Sequence, residues 1–598
     1  MSVLSDMLTL LGLVGPGGAP APAVDVMPVW VPLELSVDET LHTPPFTYQV
    51  LSRSREIAKL DEHLALTKPV PLTFAALKAS NLLQPDPADA TKYQVKLTLR
   101  IEYPALPSSP KKLAGKGKLP VVLINHGHHR NWQPTIAGGA ITAITATPNI
   151  DGYKYLQDAL AEHGIVSVSV DHNFACATNA LIEMRADTII AALNALSTEA
   201  SSSSSRYHGR LDFSKIGLMG HSRGGDAVVR AVKKILAEPS LSAKFKILTV
   251  CSLAPTDYTG ADVPGNRMFL DSNDVNFYLV VYGALDNDVF GGGPIPIGGS
   301  GFRHYDRARP PKAMVFLDNS CHNAFNTVWF ADGNDSTDPR LASDAEHRSL
   351  AVDYIGDLFR WQLGGEKLGA RFDGRTPNRA GQHASFQWMF GQALVRVDDF
   401  ENPAANLLGG ARVVINGPSD PTAIEDFGSI TIAGNSLAPH TEHQAHVLHV
   451  DLTLSTPATT RVLTTEIPAA NRDWSALDTL VFSLSGWFDP TSAATITAAN
   501  LPRLQVTLVD GAGASAAVGF NAYGASLPSR PVFKTKTFLV PGNVVTWNVT
   551  LIRLETIPIA LSSFAGVDLT KIAQVALDIV PDNDTHVFAD NIHVVKRQ

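Results

Sequence analysis

Residues 215–230 read Lys-Ile-Gly-Leu-Met-Gly-His-Ser-Arg-Gly-Gly-Asp-Ala-Val-Val-Arg: a short apolar strand, then Gly220-His221-Ser222-Arg223-Gly224, then a helical pattern. Ile216, Leu218 and Met219 supply the strand, and Ala227, Val228, Ala231, Val232, Ile235 and Leu236 recur at helical spacing behind it. A serine hydroxyl is a poor nucleophile. It works only when held clear of its surroundings, beside a base and beside backbone N–H groups that receive an oxyanion. A sharp strand-to-helix turn provides this, with glycines at 220 and 224 because strand and helix approach too closely there for side chains. Ser222 is therefore the candidate nucleophile, with an ordinary glycine-rich turn as the alternative.

Working outward, Val121-Val122-Leu123-Ile124 is a continuous apolar run of the kind a strand buried on both faces shows, and 165–170 is another. A helix is expected around 182–196, a Ser-rich loop at 201–205, and further strands at 245–252, 277–282 and 313–317. Upstream, 46–51 and the alternating 93–103 suit antiparallel opening strands of the same sheet. This alternation predicts an α/β domain with a mostly parallel, doubly wound sheet, ending in a long helix around 345–363. From about residue 395 charged residues thin out, and short alternating runs appear at 481–485, 504–508, 536–540 and 575–579. That pattern predicts a separate all-β sandwich. The expected organisation is a flexible leader at 1–28, an α/β domain at 29–394 and a β-sandwich at 395–598.

A chain of 598 residues exceeds one ordinary core, consistent with two or three domains. The net charge of −9 and the lack of a basic block argue against nucleic acid or an anionic membrane as partner. No apolar run approaches the roughly 20 residues needed to span a bilayer. The segment 1–24 has Asp6 as its sole charge and lacks the basic start of a secretory signal. Cys176, Cys251 and Cys321 show no metal-like spacing and read as small buried apolar residues.

A serine nucleophile needs a base and an acid that fixes the base's tautomer; on a doubly wound sheet these follow it in the order acid, then His, just past strand ends. After the strand 277–282 comes Gly283-Ala284-Leu285-Asp286-Asn287-Asp288-Val289, which makes Asp286 the candidate acid and Asp288 the fallback. After 313–317, the loop Asp318-Asn319-Ser320-Cys321-His322 offers His322 as base, with His304 and Cys321 weaker alternatives. Asn125-His126-Gly127-His128-His129 follows the strand 121–124, where the second oxyanion donor is expected, so the donors would be the backbone N–H groups of His128 and Arg223. The histidine side chains there read as pocket lining; a His-x-His zinc site has no third ligand at supporting spacing.

With these residues placed, the stretch 90–365 resembles the α/β-hydrolase fold. Within it, Gly-His-Ser-Arg-Gly-Gly at 220–225 and Asn-His-Gly at 125–127 resemble the branch holding chlorophyllases, bacterial cutinases and platelet-activating-factor acetylhydrolases. The resemblance implies Ser222, Asp286 and His322 as a triad acting on a carboxylic ester through an acyl-enzyme. The chain differs from cutinases, which carry paired late cysteines, in having Cys321 alone near the base, and in its Gly-rich loop 291–301.

The tail resembles jelly-roll, carbohydrate-binding-type modules. Val397-Asp398-Asp399-Phe400-Glu401 looks like their first strand and Phe588-Ala589-Asp590-Asn591-Ile592 like their last. In that family the two strands lie together and often hold a structural calcium, which implies Glu401 and Asp590 as candidate ligands; the alternative is two ordinary acidic strand ends. The acidic loop 332–338 is a second candidate for calcium, with a solvated turn as the better reading. No cofactor is expected for catalysis.

The function expected is a serine esterase, with a small or polymeric ester as substrate and the sandwich attaching to a glycan or polymer surface. Acyl transfer or amide hydrolysis by the same triad is one alternative, and a noncatalytic binding protein on a hydrolase scaffold is another. The low charge of the tail leans towards an extracellular or periplasmic location, and the absence of a basic signal start leans against it.

Overall fold

The computed structural model describes, with shorter interruptions, residues 98–128, 132–173, 182–257, 268–289, 301–329, 338–414, 445–451, 460–487, 503–519, 532–551 and 554–597, together with short strands before residue 98 and at 424–426. The leader at 1–28, His129, Cys176 and most of the acidic loop 332–338 lie outside the described residues. The chain divides into two compact units. One comprises residues 1–290, 295–310 and 319–382, the other 291–294, 311–318 and 383–598.

The first unit is mixed α/β, built on a mostly parallel sheet. Its parallel strands are, in chain order, Leu119–Asn125, Val166–Val170, Leu211–His221, Ile247–Leu253 and Phe277–Gly283. In space they lie second, first, third, fourth, fifth, all parallel to their neighbours. Leu99–Leu106, Gln49–Arg55 and Asp38–His42 add antiparallel strands beyond Val166–Val170. The apolar run Val121–Ile124 is fully buried, as a strand covered on both faces requires. Strand order reverses between Leu119–Asn125 and Leu211–His221. In doubly wound sheets a crevice opens outside the carboxyl ends of the strands at that reversal. Gly127 and Ser222 follow those two ends.

Several boundaries differ from the sequence reading for identifiable reasons. The alternating stretch 93–103 is split: Asp89–Gln94 pairs with Gln84–Asp86 in a small sheet, while Leu99–Leu106 joins the main one. Alternation marks a strand but carries no record of which sheet it enters. The helix expected at 182–196 runs from Ile182 to Ser201. The long C-terminal helix is Asp344–Ala351 and Asp357–Gln362 joined through the π-helical turn Val352–Gly356. An additional helix, Lys154–Glu162, buries Leu156, Gln157, Leu160 and Ala161; a glutamine on its buried face weakens the apolar signal.

The second unit carries two antiparallel sheets. One runs Ile424–Asp426, His446–Asp451, His586–Lys596, Thr479–Trp487, Glu555–Ala560, with Ala393–Asp398 also paired to His586–Lys596. The other runs Arg412–Val414, Thr460–Glu466, Ile572–Val580, Arg503–Asp510, Ser515–Gly519. Leu480, Phe482 and Leu484 from one sheet share a core with Leu504, Val506 and Leu508 from the other. The resembled first and last strands of the module are thus hydrogen-bonded neighbours. Lys312–Leu317 and Ala384–Met389 form a further antiparallel pair in this unit.

His593 is fully buried there, with Nδ1 2.9 Å from Asn591 O and its ring edge-to-face with Trp388. Burial, aided by the charges of Arg396 and Lys312, lowers its pKa to about 4. In the unfolded chain it titrates near 6.5, so the unfolded state binds the extra proton first as pH falls. Unfolding free energy is therefore expected to decline between pH 6.5 and about 4, by on the order of 3 kcal/mol from this residue. Urea titrations at pH 7 and 4.5 measure this. His593→Asn, which keeps a donor for Asn591 O, should flatten the slope; an unchanged slope would contradict it.

Candidate active site

Strand Leu211–His221 ends one residue before Ser222, which adopts φ 58° and ψ −125°. Residues with side chains rarely occupy this region, at a cost on the order of 1–3 kcal/mol. Backbone bonds hold it: Ser222 N–H donates to Leu253 O at 2.9 Å, and Ser222 O accepts from Gly225 N–H at 2.8 Å and Thr256 N–H at 3.2 Å. A Cβ on Gly220 would lie 2.0 Å from Gly224 O, and one on Gly224 2.2 Å from Asn125 O, so neither position admits a side chain. Helix Arg223–Ala237 begins immediately after Ser222. Its first-turn N–H groups, that of Arg223 included, lack acceptors within the helix and carry the positive end of its dipole.

His322 and Asp286 are both fully buried. His322 Nδ1 lies 2.7 Å from Asp286 Oδ2, while Asp286 Oδ1 accepts the N–H groups of Asp288 at 2.9 Å and Val289 at 2.8 Å. Asp288 is 40% exposed at its side chain and its carboxylate lies 3.6 Å from His322 Nε2. Leu285 N–H donates to Ser320 O at 2.9 Å, tying the two loops together. On the other side, Cys321 N–H donates to His347 Nε2 at 2.9 Å, and His347 Nδ1 lies 2.9 Å from Ser343 O.

Aromatic rings pack on His221, the residue before Ser222, and on His322. The His221 and His322 ring centroids are 4.7 Å apart, and Trp329 stacks on both, at 4.6 Å from His221 and 6.0 Å from His322. The Tyr153 hydroxyl lies 2.8 Å from His221 Nδ1, with burial holding Tyr153 protonated far above the ordinary phenol range. Trp329 Nε1–H donates to Asn149 Oδ1 at 2.9 Å, and Asn149 Nδ2 donates to Asn173 Oδ1 at 2.7 Å. The indole is thereby fixed at its edge while its face meets the histidines.

The loop after Leu119–Asn125 lies against the serine: a Cβ on Gly127 would be 2.4 Å from Ser222 Cβ. His128 is half-buried. His126 is fully buried; its Nδ1 lies 2.8 Å from Gly127 O and its Nε2 accepts His172 N–H at 2.8 Å. Burial lowers the pKa of His126 and holds that of His172 well below the imidazole range. His126 is thus neutral, and its 3.5 Å approach to the Asp171 carboxylate is not an ion pair.

The other residues singled out from the sequence make contacts of their own. His304 Nε2 is 2.6 Å from Thr256 O, and burial lowers its pKa despite the nearby Asp257 carboxylate, itself paired with Arg307. Cys251 and Cys321 are buried, Cys321 being the residue before His322. In the second unit, Glu401 is half-exposed and accepts His446 N–H at 2.9 Å, with His446 Nδ1 at 3.1 Å. Asp590 is buried and accepts the backbone N–H of Asn591 at 2.6 Å and that residue's side-chain amide. Glu401 thus meets a donor 45 residues away in sequence, whereas the donors on Asp590 come from the next residue. Among the described residues no group of three His, Cys, Asp or Glu side chains is placed to hold a metal ion.

Trp329, Tyr153, Asn149 and His347 escaped the sequence reading, since each reaches the site through tertiary packing. The short distance in sequence between His322 and Trp329 was the one available signal.

Residues 119–261 match the family model described as PETase, PET hydrolase-like, a family of ester hydrolases in the α/β-hydrolase superfamily. The match spans both strands at the winding reversal and Ser222, and ends before Asp286 and His322. No curated protein matches the chain. At the coarse level, the match supports an ester hydrolase.

Proposed function

We propose that this chain is a serine carboxylic ester hydrolase acting through an acyl-enzyme. The observation that carries the reading is the buried 2.7 Å contact between His322 Nδ1 and Asp286, in a unit whose Ser222 is strained at a helix N-terminus. Asp286 keeps the His322 proton on Nδ1, leaving Nε2 to accept a proton from Ser222 Oγ. Oγ then bonds to the ester carbonyl carbon, and the N–H groups of Arg223 and His128 receive the oxyanion. Collapse breaks the bond to the alcohol oxygen, which leaves with the proton from His322 Nε2. Water repeats the sequence: His322 takes its proton, the hydroxide adds to the acyl carbon, and Ser222 leaves with the proton as the acid is released.

A polymeric ester is the substrate class favoured, because the matched family is named for a polyester. In this reading the β-sandwich serves attachment to a polymer or glycan surface, raising effective concentration there.

The test is turnover of a p-nitrophenyl ester series from acetate to long acyl chains, with fluorophosphonate labelling mapped by peptide mass spectrometry. Turnover with a single label on Ser222 is expected. A chain that neither hydrolyses any ester nor takes the label overturns the reading.

A further inference from the structure

We propose that His126 is a positioning residue for catalysis: it orients the Gly127–His128 peptide so that the His128 N–H faces the oxyanion. The inference rests on the esterase reading of Ser222.

Contact with Ser222 leaves room for nothing larger than glycine at 127. Glycine, however, is the residue whose backbone is least restrained, so the peptide planes around it need an outside constraint to keep one orientation. The structure supplies one on each side. The carbonyl before Gly127, that of His126, accepts a bond from Arg185 Nη1 at 2.9 Å, and Arg185 is fully buried. The carbonyl of Gly127 itself lies 2.8 Å from His126 Nδ1.

The tautomer follows from the other nitrogen. Nε2 accepts the His172 N–H at 2.8 Å, so the proton of the neutral ring is on Nδ1, and Nδ1–H donates to Gly127 O. In a planar trans peptide the N–H points opposite to the C=O, and the described residues contain no cis bond. Holding Gly127 O towards the buried His126 ring therefore turns the His128 N–H the other way. Both His126 nitrogens are engaged with backbone, so the ring acts through the peptide rather than on substrate.

Two substitutions separate the ring's two bonds. Asparagine at 126 places an amide near the Nδ1 position and can still donate to Gly127 O; glutamine reaches the Nε2 position and serves only His172 N–H. Both lose the ring and its packing. An oxyanion donor acts on the transition state, so its loss lowers kcat and spares KM. His126→Gln is expected to lose roughly 10- to 100-fold in kcat with KM within two-fold of wild type. His126→Asn should recover most of that loss at comparable Tm. Should the glutamine variant fail to fold, His126→Ala against His126→Asn gives the same comparison. Equal kcat in the two folded variants, or a loss carried by KM, overturns the inference while wild-type turnover leaves the esterase reading standing. A wild type without turnover or labelling overturns both.

Discussion

Ser222→Ala is expected to lower kcat for ester hydrolysis roughly 10^6-fold, with the protein still folded. The serine supplies the bond-forming oxygen, and what survives its loss is water attacking an ester held by the binding cleft and the two N–H donors. His322→Ala should cost about as much, because Oγ without an acceptor for its proton does not attack. The double variant should be no worse than either alone, since the two groups act as one unit. Steady-state kinetics, with thermal unfolding as the folding control, measures all three. Turnover in Ser222→Ala within about 100-fold of wild type would sink the nucleophile assignment.

The second large effect distinguishes two aspartates two residues apart. Asp286→Asn should lower kcat about 10^4-fold, and Asp288→Asn only a few-fold. Asp286 is buried, accepts the N–H groups of Asp288 and Val289 on one oxygen, and turns the other to His322 Nδ1. Those two N–H groups fix which end of an asparagine amide remains oxygen. The NH2 then faces Nδ1, which can satisfy it only by giving up its proton, and the ring proton moves to Nε2, where Ser222 needs an acceptor. Asp288 meets solvent and approaches His322 only at 3.6 Å. A similar loss in both variants, or a larger one at Asp288, would reverse the assignment of the acid.

The parts of this site readable from sequence are those whose chemistry is local. Gly220, Ser222 and Gly224 announce a tight strand-to-helix turn because the steric demand falls on three neighbouring positions. Asp286 and His322 were read from chain order, as acid and then histidine past strand ends downstream of Ser222, and their side chains lie 2.7 Å apart. Trp329, Tyr153 and His347 carry no such mark: an aromatic ring in a loop or a histidine in a short helix has the same sequence appearance whether it packs against the histidines of the site or elsewhere. The stretch 93–103 failed for a related reason, since its alternation encodes two faces but not a partner. In the sandwich, Phe482 and Leu484 fall within the alternating run read at 481–485, although Val481, Ser483 and Ser485 between and beside them are buried as well, whereas His446, the partner of Glu401, lies 45 residues away and carries no local signal.

The conformation at Ser222 also sets protein stability and reactivity against each other at a single position. Glycine adopts φ near 58° without penalty, so replacing the serine would relieve strain that the wild-type chain carries. A sequence tuned for melting temperature alone would drift towards glycine at 222 and lose the one oxygen that the surrounding glycines, helix terminus and buried histidine are arranged to use. Any stability-guided redesign of this chain must therefore hold position 222 fixed and seek its gains elsewhere.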